Sequence, residues 1–261
     1  MTATPTSVSI RTFRAILWRD IFVTGSELPS FLAQVLIQPF FILFIFGKVL
    51  GDIGFVQGNF AAVLLPGIVA MNGFLGALQN TTLPLVLDFS WTREIEDRLL
   101  APIPIPLVAV EKMVFGALRG LLAAVLMIPI GFVLLDVTWP LSGLPTAFLV
   151  ICMGSLAGAA VGMVIGTSVS PRRINIMFAV ILTPLLFTGS AQFPWEQLDS
   201  LRWFQVVCAL NPLTYVSEGM RAVLVPQVPH MPLGVCLTVL VVAIAGFGAL
   251  GMRGFMRRAL D

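Results

Sequence analysis

The side chains that could do chemistry are few in this sequence, and they are not grouped. His230 is the single histidine, in the stretch Pro229-His230-Met231-Pro232. One imidazole cannot build a site on paired histidines, and in a Pro-rich loop it reads as a surface residue. Cys152, Cys208 and Cys236 are scattered without a CxxC pair, so neither a disulfide framework nor a zinc site is indicated. No GxSxG elbow occurs, acidic pairs do not recur at metal-ligand spacing, and no GxxxxGK(S/T) loop offers backbone N–H groups to a phosphate. The one Gly-Lys pair, Gly47-Lys48, is followed by Val49. The expectation is a chain without catalytic residues, without a bound cofactor or metal, and with nothing to cradle a nucleotide.

The remaining polar chemistry sits in three places. The first is the run from Asp88 to Pro102, in which Arg93, Glu94, Glu96, Asp97 and Arg98 surround Ile95. Ser90 can cap a helix there and Pro102 ends it, with Ile95, Leu99 and Leu100 as an apolar strip. A short amphipathic helix of this kind reads as a docking surface. The second is Asn211-Pro212-Leu213-Thr214-Tyr215 with Glu218 and Arg221, which lie three residues apart on one helix face and can pair. The third is a sparse set inside apolar stretches: Gln38, Asn72, Gln79, Asn80 and Arg119. Arg119 lies seven residues beyond Lys112, roughly 10 Å deeper along a helix. It can snorkel, pair internally or face a polar cavity; Asn72, Gln79 and Arg119 are the candidates for a substrate path.

The elements that hold these residues follow from composition. Of 261 residues, 58% are hydrophobic and 11% charged, with mean hydropathy +0.99. A soluble domain carries roughly 25% charged residues, so the solvent that fits this chain is a bilayer. Six apolar stretches are long enough to cross it: about Pro29–Leu50, Phe60–Leu87, Leu107–Leu135, Leu144–Val169, Ile174–Ser190 and Leu233–Met252. Residues 7–24 place Ile10, Phe13, Ile16, Leu17 and Ile21 on one face and Arg11, Arg14 and Arg19 on the other. That pattern predicts an interfacial amphipathic helix in place of a cleavable leader.

With six spans, Arg11, Arg14, Arg19, Arg93, Arg98, Lys112, Arg172, Arg173, Arg253, Arg257 and Arg258 all fall on one side. The positive-inside rule puts that side, and both termini, in the cytoplasm. A seventh span through Trp203–Val225 would bury Glu218 and Arg221 in hydrocarbon across the Asn211-Pro212 break. Residues 191–231 therefore read as a re-entrant outer hairpin shielded by other spans. Gly154, Gly158, Gly162 and Gly166 recur every four residues and make a flat stripe for close helix packing, against a neighbouring span or a sister subunit. The fold expected is one all-α membrane domain over residues 1–261.

Three motifs in order give the chain a resemblance. Arg93-Glu94 through Arg98-Leu99-Leu100-Ala101-Pro102, followed by Glu111-Lys112, is similar to the cytoplasmic loop of the type-2 ABC exporter permeases. Thr188-Gly189-Ser190-Ala191-Gln192-Phe193-Pro194 resembles that family's exit from span five, with Gln192 where an apolar residue is commoner. Asn211-Pro212-Leu213-Thr214-Tyr215 resembles its outer hairpin. The likeness, which extends to daunorubicin-resistance and nodulation-factor export permeases, covers essentially the whole chain. It implies a bacterial inner-membrane subunit that dimerises with an identical or different permease and docks two separate ATPase subunits, which hold the ATP and magnesium. Residues 88–102 would be the coupling helix, and the cargo amphipathic drugs or lipids, with polysaccharide or lipooligosaccharide as the alternative. Nucleic acid is not an expected partner. A different class, an ATP-independent carrier or channel, is disfavoured by the lack of an acidic relay within the spans.

Overall fold

A computed structural model describes residues 5–26, 28–55, 60–90 and 104–260 of the chain. The described residues form helices and turns, with no strand among them. Helix α1 (Pro5–Ser26) is followed by α2 (Leu28–Ile42), which passes into a π-helical stretch, Leu43–Val49, and a last α turn, Leu50–Asp52. Then come α3 (Phe60–Ser90), α4 (Ile105–Leu135), α5 (Leu144–Ser168) and the shorter α6 (Ile174–Thr188). Two short helices, α7 (Arg202–Ala209) and α8 (Pro212–Leu224), precede the long α9 (Leu233–Leu260).

Among the described residues, five segments are long and apolar enough to cross a bilayer: Pro29–Asp52, Phe60–Phe89, Ile105–Leu135, Leu141–Ser168 and Leu233–Ala259. The fifth predicted stretch, about Ile174–Ser190, gives α6, whose 15 residues span about 22 Å at 1.5 Å per residue, short of a hydrocarbon core of about 30 Å. Gly189 and the left-handed Ser190 (φ 49°) end it and turn the chain toward α7 and α8.

Helix α3 is the axis of the molecule: 89% of its most apolar window is buried, against 17–28% for α2, α4 and α9. Close approach around this axis requires small residues. On α5, Gly158 faces the Phe74 carbonyl, a Cβ at Gly162 would come within 2.5 Å of the Leu78 oxygen, and Gly166 abuts Leu85. Gly154 instead receives the side chain of Val216 from α8. Gly116 and Gly120 of α4 meet Thr81, Ala77 and the Gly73 carbonyl on the other side of α3. The glycine stripe thus serves packing within one chain. Thr82 Oγ1 lies 2.8 Å from Leu78 O and 3.0 Å from Gly162 O, so its hydroxyl bridges α3 to α5.

Apolar burial is split into separate clusters. The large one runs along α3 and takes in Leu64, Ile68, Phe74, Leu78, Met127, Val150, Leu213 and Leu240. A second gathers at the end where basic residues collect: Leu85, Val108, Ala109, Met163 and Phe255, with Phe13 and Ile16 of α1 and Phe89 packed against them. Phe13, Ile16 and Leu17 of the predicted apolar face are half-buried, whereas Ile21 on that face and Trp18 and Phe22 beside it are exposed, and Arg14 and Arg19 point outward. The side chain of Arg11 lies outside what is described.

Candidate functional site

In an apolar medium every backbone N–H and C=O needs a partner, and each helix end leaves up to four without one. The break at Gly189 and the reversal at Leu210 expose such carbonyls deep in the molecule, and α8 satisfies them. Asn211 caps α8, its Oδ1 accepting from Leu213 N at 2.9 Å. Its Nδ2 donates to Leu185 O at 2.8 Å and to Thr188 Oγ1 at 2.9 Å. One turn on, the Thr214 hydroxyl reaches Cys208 O at 2.6 Å and Thr188 O at 3.1 Å. Tyr215 donates to Ala209 O at 2.7 Å and Ser217 to Gly189 O at 3.0 Å. Pro212 stands in the first turn, where its missing N–H costs nothing.

The same helix carries the Glu218–Arg221 pair, with both side chains fully buried and Arg221 Nη1 2.8 Å from Glu218 Oε1. Every nitrogen of the guanidinium and both carboxylate oxygens have a partner. Arg221 Nε donates to Val63 O at 3.2 Å and Nη2 to Ala191 O at 2.8 Å. Glu218 accepts from Trp195 N at 3.0 Å and from Met231 N at 3.1 Å. A buried ion pair costs desolvation, and it persists when further hydrogen bonds occupy the remaining donors and lone pairs. Here the pair ties α8 to the start of α3, the exit of α6 and the entry to α9. Of the hairpin residues singled out by sequence, all five (Asn211, Pro212, Tyr215, Glu218, Arg221) lie in this network. Thr188 and Thr214 stood in the sequence motifs without an assigned role, while Ser217 and the carbonyls all three meet were not identified; the local signal is the spacing of small hydroxyl residues on α8.

At the opposite end, Lys112 Nζ sits 2.6 Å from Asp88 Oδ2, both side chains under a tenth exposed. Asp88, Phe89 and Ser90 belong to α3, so the predicted loop helix 88–102 overlaps the end of a span for its first three residues. Arg93, Glu94, Glu96, Asp97 and Arg98 lie outside the described residues.

Between α2, α3 and α6 runs a groove of about 600 Å³, walled by Phe41, Phe46, Phe178 and Phe187 with Gln38, Gln79 and Gln192. It shares Gln38, Leu75, Gln79 and Leu186 with a narrower recess of about 50 Å³ that adds Gln34, Asn72 and Asn80. None of the residues lining either hollow carries a charge. Gln79 of the sequence candidates thus faces the groove. Asn72 reaches only the recess and uses its Nδ2 to donate to Ala123 O at 2.9 Å. Arg119 lies apart from both, its guanidinium 4.7 Å from the centre of the Phe31 ring and 5.7 Å from that of Phe115. Gln192, unexplained by sequence, belongs to the groove wall.

Residues 11–225 match the model of the ABC-2 type transporter family. The chain belongs to that family. Among curated relatives, the inner membrane transport permease YadH of Escherichia coli (strain K12) is 29% identical over 208 residues, covering 78% of each chain. Nodulation protein J of Sinorhizobium fredii is 28% identical over 213 residues, again 78% of each chain. A transport permease, ycf38, of Cyanophora paradoxa is 26% identical over 220 residues, covering 79% of this chain and 72% of its own. The chain is accordingly a multi-pass transport permease of the ABC-2 family, whose members work with ATPase subunits. Helices α7 and α8 fall within the matched region, and α9 beyond it.

Proposed function

We propose that this permease forms the membrane half of an ATP-driven exporter that moves amphipathic molecules across a bacterial inner membrane, with both termini in the cytoplasm. The observation that carries the reading is the groove of about 600 Å³ between α2 and α6, apolar on its walls and edged with carboxamides. Hydrocarbon parts of a cargo would lie along the phenylalanines, while Gln38, Gln79 and Gln192 hold its polar part. In this reading α6 and the α7–α8 hairpin together make the fifth crossing, with α8 filling the outer leaflet, and α9 makes the sixth; α1 lies in the cytoplasmic headgroup layer. A dimer of permeases docks two ATPase subunits on residues 88–102, with Arg93, Glu94, Glu96, Asp97 and Arg98 as the contact surface. ATP binding shifts the spans only in so far as it favours one arrangement over another.

The uncharged lining gives one alternative cargo specific support. A net charge in such a groove would lose hydration without a counter-ion, at a cost of several kcal/mol. An acylated oligosaccharide, neutral and rich in hydroxyl and amide groups, suits it as well as a drug or lipid does. Reconstitution with the ATPase subunit, supplying neutral glycolipids in one set of vesicles and cationic drugs in another, separates these cargoes by the ATPase stimulation each produces. Arg93→Ala with Glu94→Ala is expected to abolish that stimulation while the permease still inserts. Normal ATP-dependent transport by the double variant would remove the docking assignment, and equal flux from vesicles holding the permease alone would remove the ATP-driven reading.

A further inference from the structure

The second apolar cluster has a polar tie that joins two remote parts of the chain. Arg258, near the end of α9, donates from Nη1 to Gly166 O at 3.0 Å and to Val169 O at 3.1 Å. Gly166 lies in the last turn of α5 and Val169 caps it, where helix geometry leaves acceptors free and the dipole favours a cation. The same guanidinium stacks 4.8 Å from the centre of the Phe89 ring, and Phe89 packs edge-on against Phe255 at 5.3 Å. Phe89 is the penultimate residue of α3, after which the chain enters the charged run at Arg93–Arg98. Asp88 beside it is fixed to α4 by Lys112.

On the other side, Val169 and Ser170 lead through a single 3₁₀ turn, Pro171–Arg173, into α6. Such a connection has no slack, so a shift at the end of α5 must move the start of α6. Helix α6 is lightly held along its outer face, with Ile176 and Val180 69% and 64% exposed, and it forms one wall of the groove. The tie therefore runs from the foot of the charged run, through one arginine, to the groove wall.

We propose that Arg258 is a positioning residue that passes displacement at the Phe89 end of α3 to α6 by way of the α5 terminus. Its two roles need different chemistry: a donor fork for the carbonyls and a planar cation for the ring. The inference rests on the docking of an ATPase at residues 88–102 only for its use in transport; the mechanical link stands on this chain alone.

The test uses two readouts. A nitroxide at Ile176→Cys, with Cys152, Cys208 and Cys236 replaced by alanine, reports the mobility of the start of α6 in the permease without its ATPase. Arg258→Met is expected to raise that mobility while a label at Val241→Cys on α9 stays unchanged, and Arg258→Lys to restore part of the order. In the complex with the ATPase, Arg258→Met should lower cargo moved per ATP about tenfold at unchanged basal hydrolysis. Phe89→Leu, which spares both carbonyl bonds, should give a smaller loss in the same direction and serves if the Arg258 variant does not insert. Unaltered mobility at position 176 overturns the link, and raised mobility with an unaltered transport ratio overturns its role. If the wild-type complex moves no cargo, the exporter reading fails, and the nitroxide result still decides the link.

Discussion

The two ends of this permease hold their helices together by different means. Around α8, interrupted helices leave carbonyls that only polar side chains can satisfy, and a buried ion pair sits among them with every group occupied. At the other end α3, α4, α5 and α9 reach their termini without a reversal inside the molecule, and the carbonyls left at the close of α5 are taken up by Arg258. There the association rests on apolar packing around Leu85, Val108, Met163 and Phe255, with one ion pair, Lys112–Asp88, and the Arg258 hydrogen bonds to backbone carbonyls at its edge. A saturated hydrogen-bond network has one good arrangement and resists deformation. Apolar contacts are less directional and tolerate sliding. The comparison assigns rigidity to the hairpin end and motion to the basic end, as an ATPase docked on that side would require.

Several substitutions would break or sharpen that contrast. The largest effect is expected for Arg221→Met, which strands Glu218 in the interior and should cost about 3–5 kcal/mol, read as lost thermal stability and protease resistance of the purified permease. Replacing both partners, Glu218→Leu with Arg221→Met, should recover part of the loss yet leave Ala191 O and Val63 O without their donor. Gly158→Val should cost about 1–3 kcal/mol, since the added atoms meet the Phe74 backbone and α5 must move off α3. Asn211→Ala removes a cap and two donors at once and should cost about 1–2 kcal/mol by the same unfolding measurement. At the basic end Lys112→Met with Asp88→Leu should be near neutral for stability, because an apolar pair of similar size can replace a buried ion pair. Transport per ATP should nevertheless change. If that pair proves as damaging as Arg221→Met, the two ends are not built differently. Thr82→Val should cost a small amount, about 0.6 kcal/mol for one interhelical hydroxyl bond.

Much of this arrangement was legible in the sequence because it is local. The three-residue spacing of Glu218 and Arg221 sets them on one face, and the break at Asn211-Pro212 forces two short helices. The four-residue glycine spacing marks a packing stripe whatever lies across it. What lies across it was not legible, since the Phe74 and Leu78 carbonyls that meet Gly158 and Gly162 carry no side-chain signature. For the same reason the acceptors of Asn211, Tyr215 and Ser217 were invisible: a backbone oxygen is present at every residue, and only the fold selects one. The fifth apolar stretch, about Ile174–Ser190, gives the helix Ile174–Thr188, and the left-handed turn at Ser190 that ends it carries no hydropathy signal. Lys112 read as one more basic residue of the inner face; its partner Asp88, 24 residues away, makes it a tie between helices.

The division of labour between the two ends can be read from backbone amide exchange in the permease–ATPase complex, with and without a non-hydrolysable ATP analogue. Nucleotide is expected to change exchange in residues 85–113 and 163–182 while residues 212–224 of α8 keep their protection. A nucleotide-dependent change in α8, with the basic end unaltered, would contradict the account.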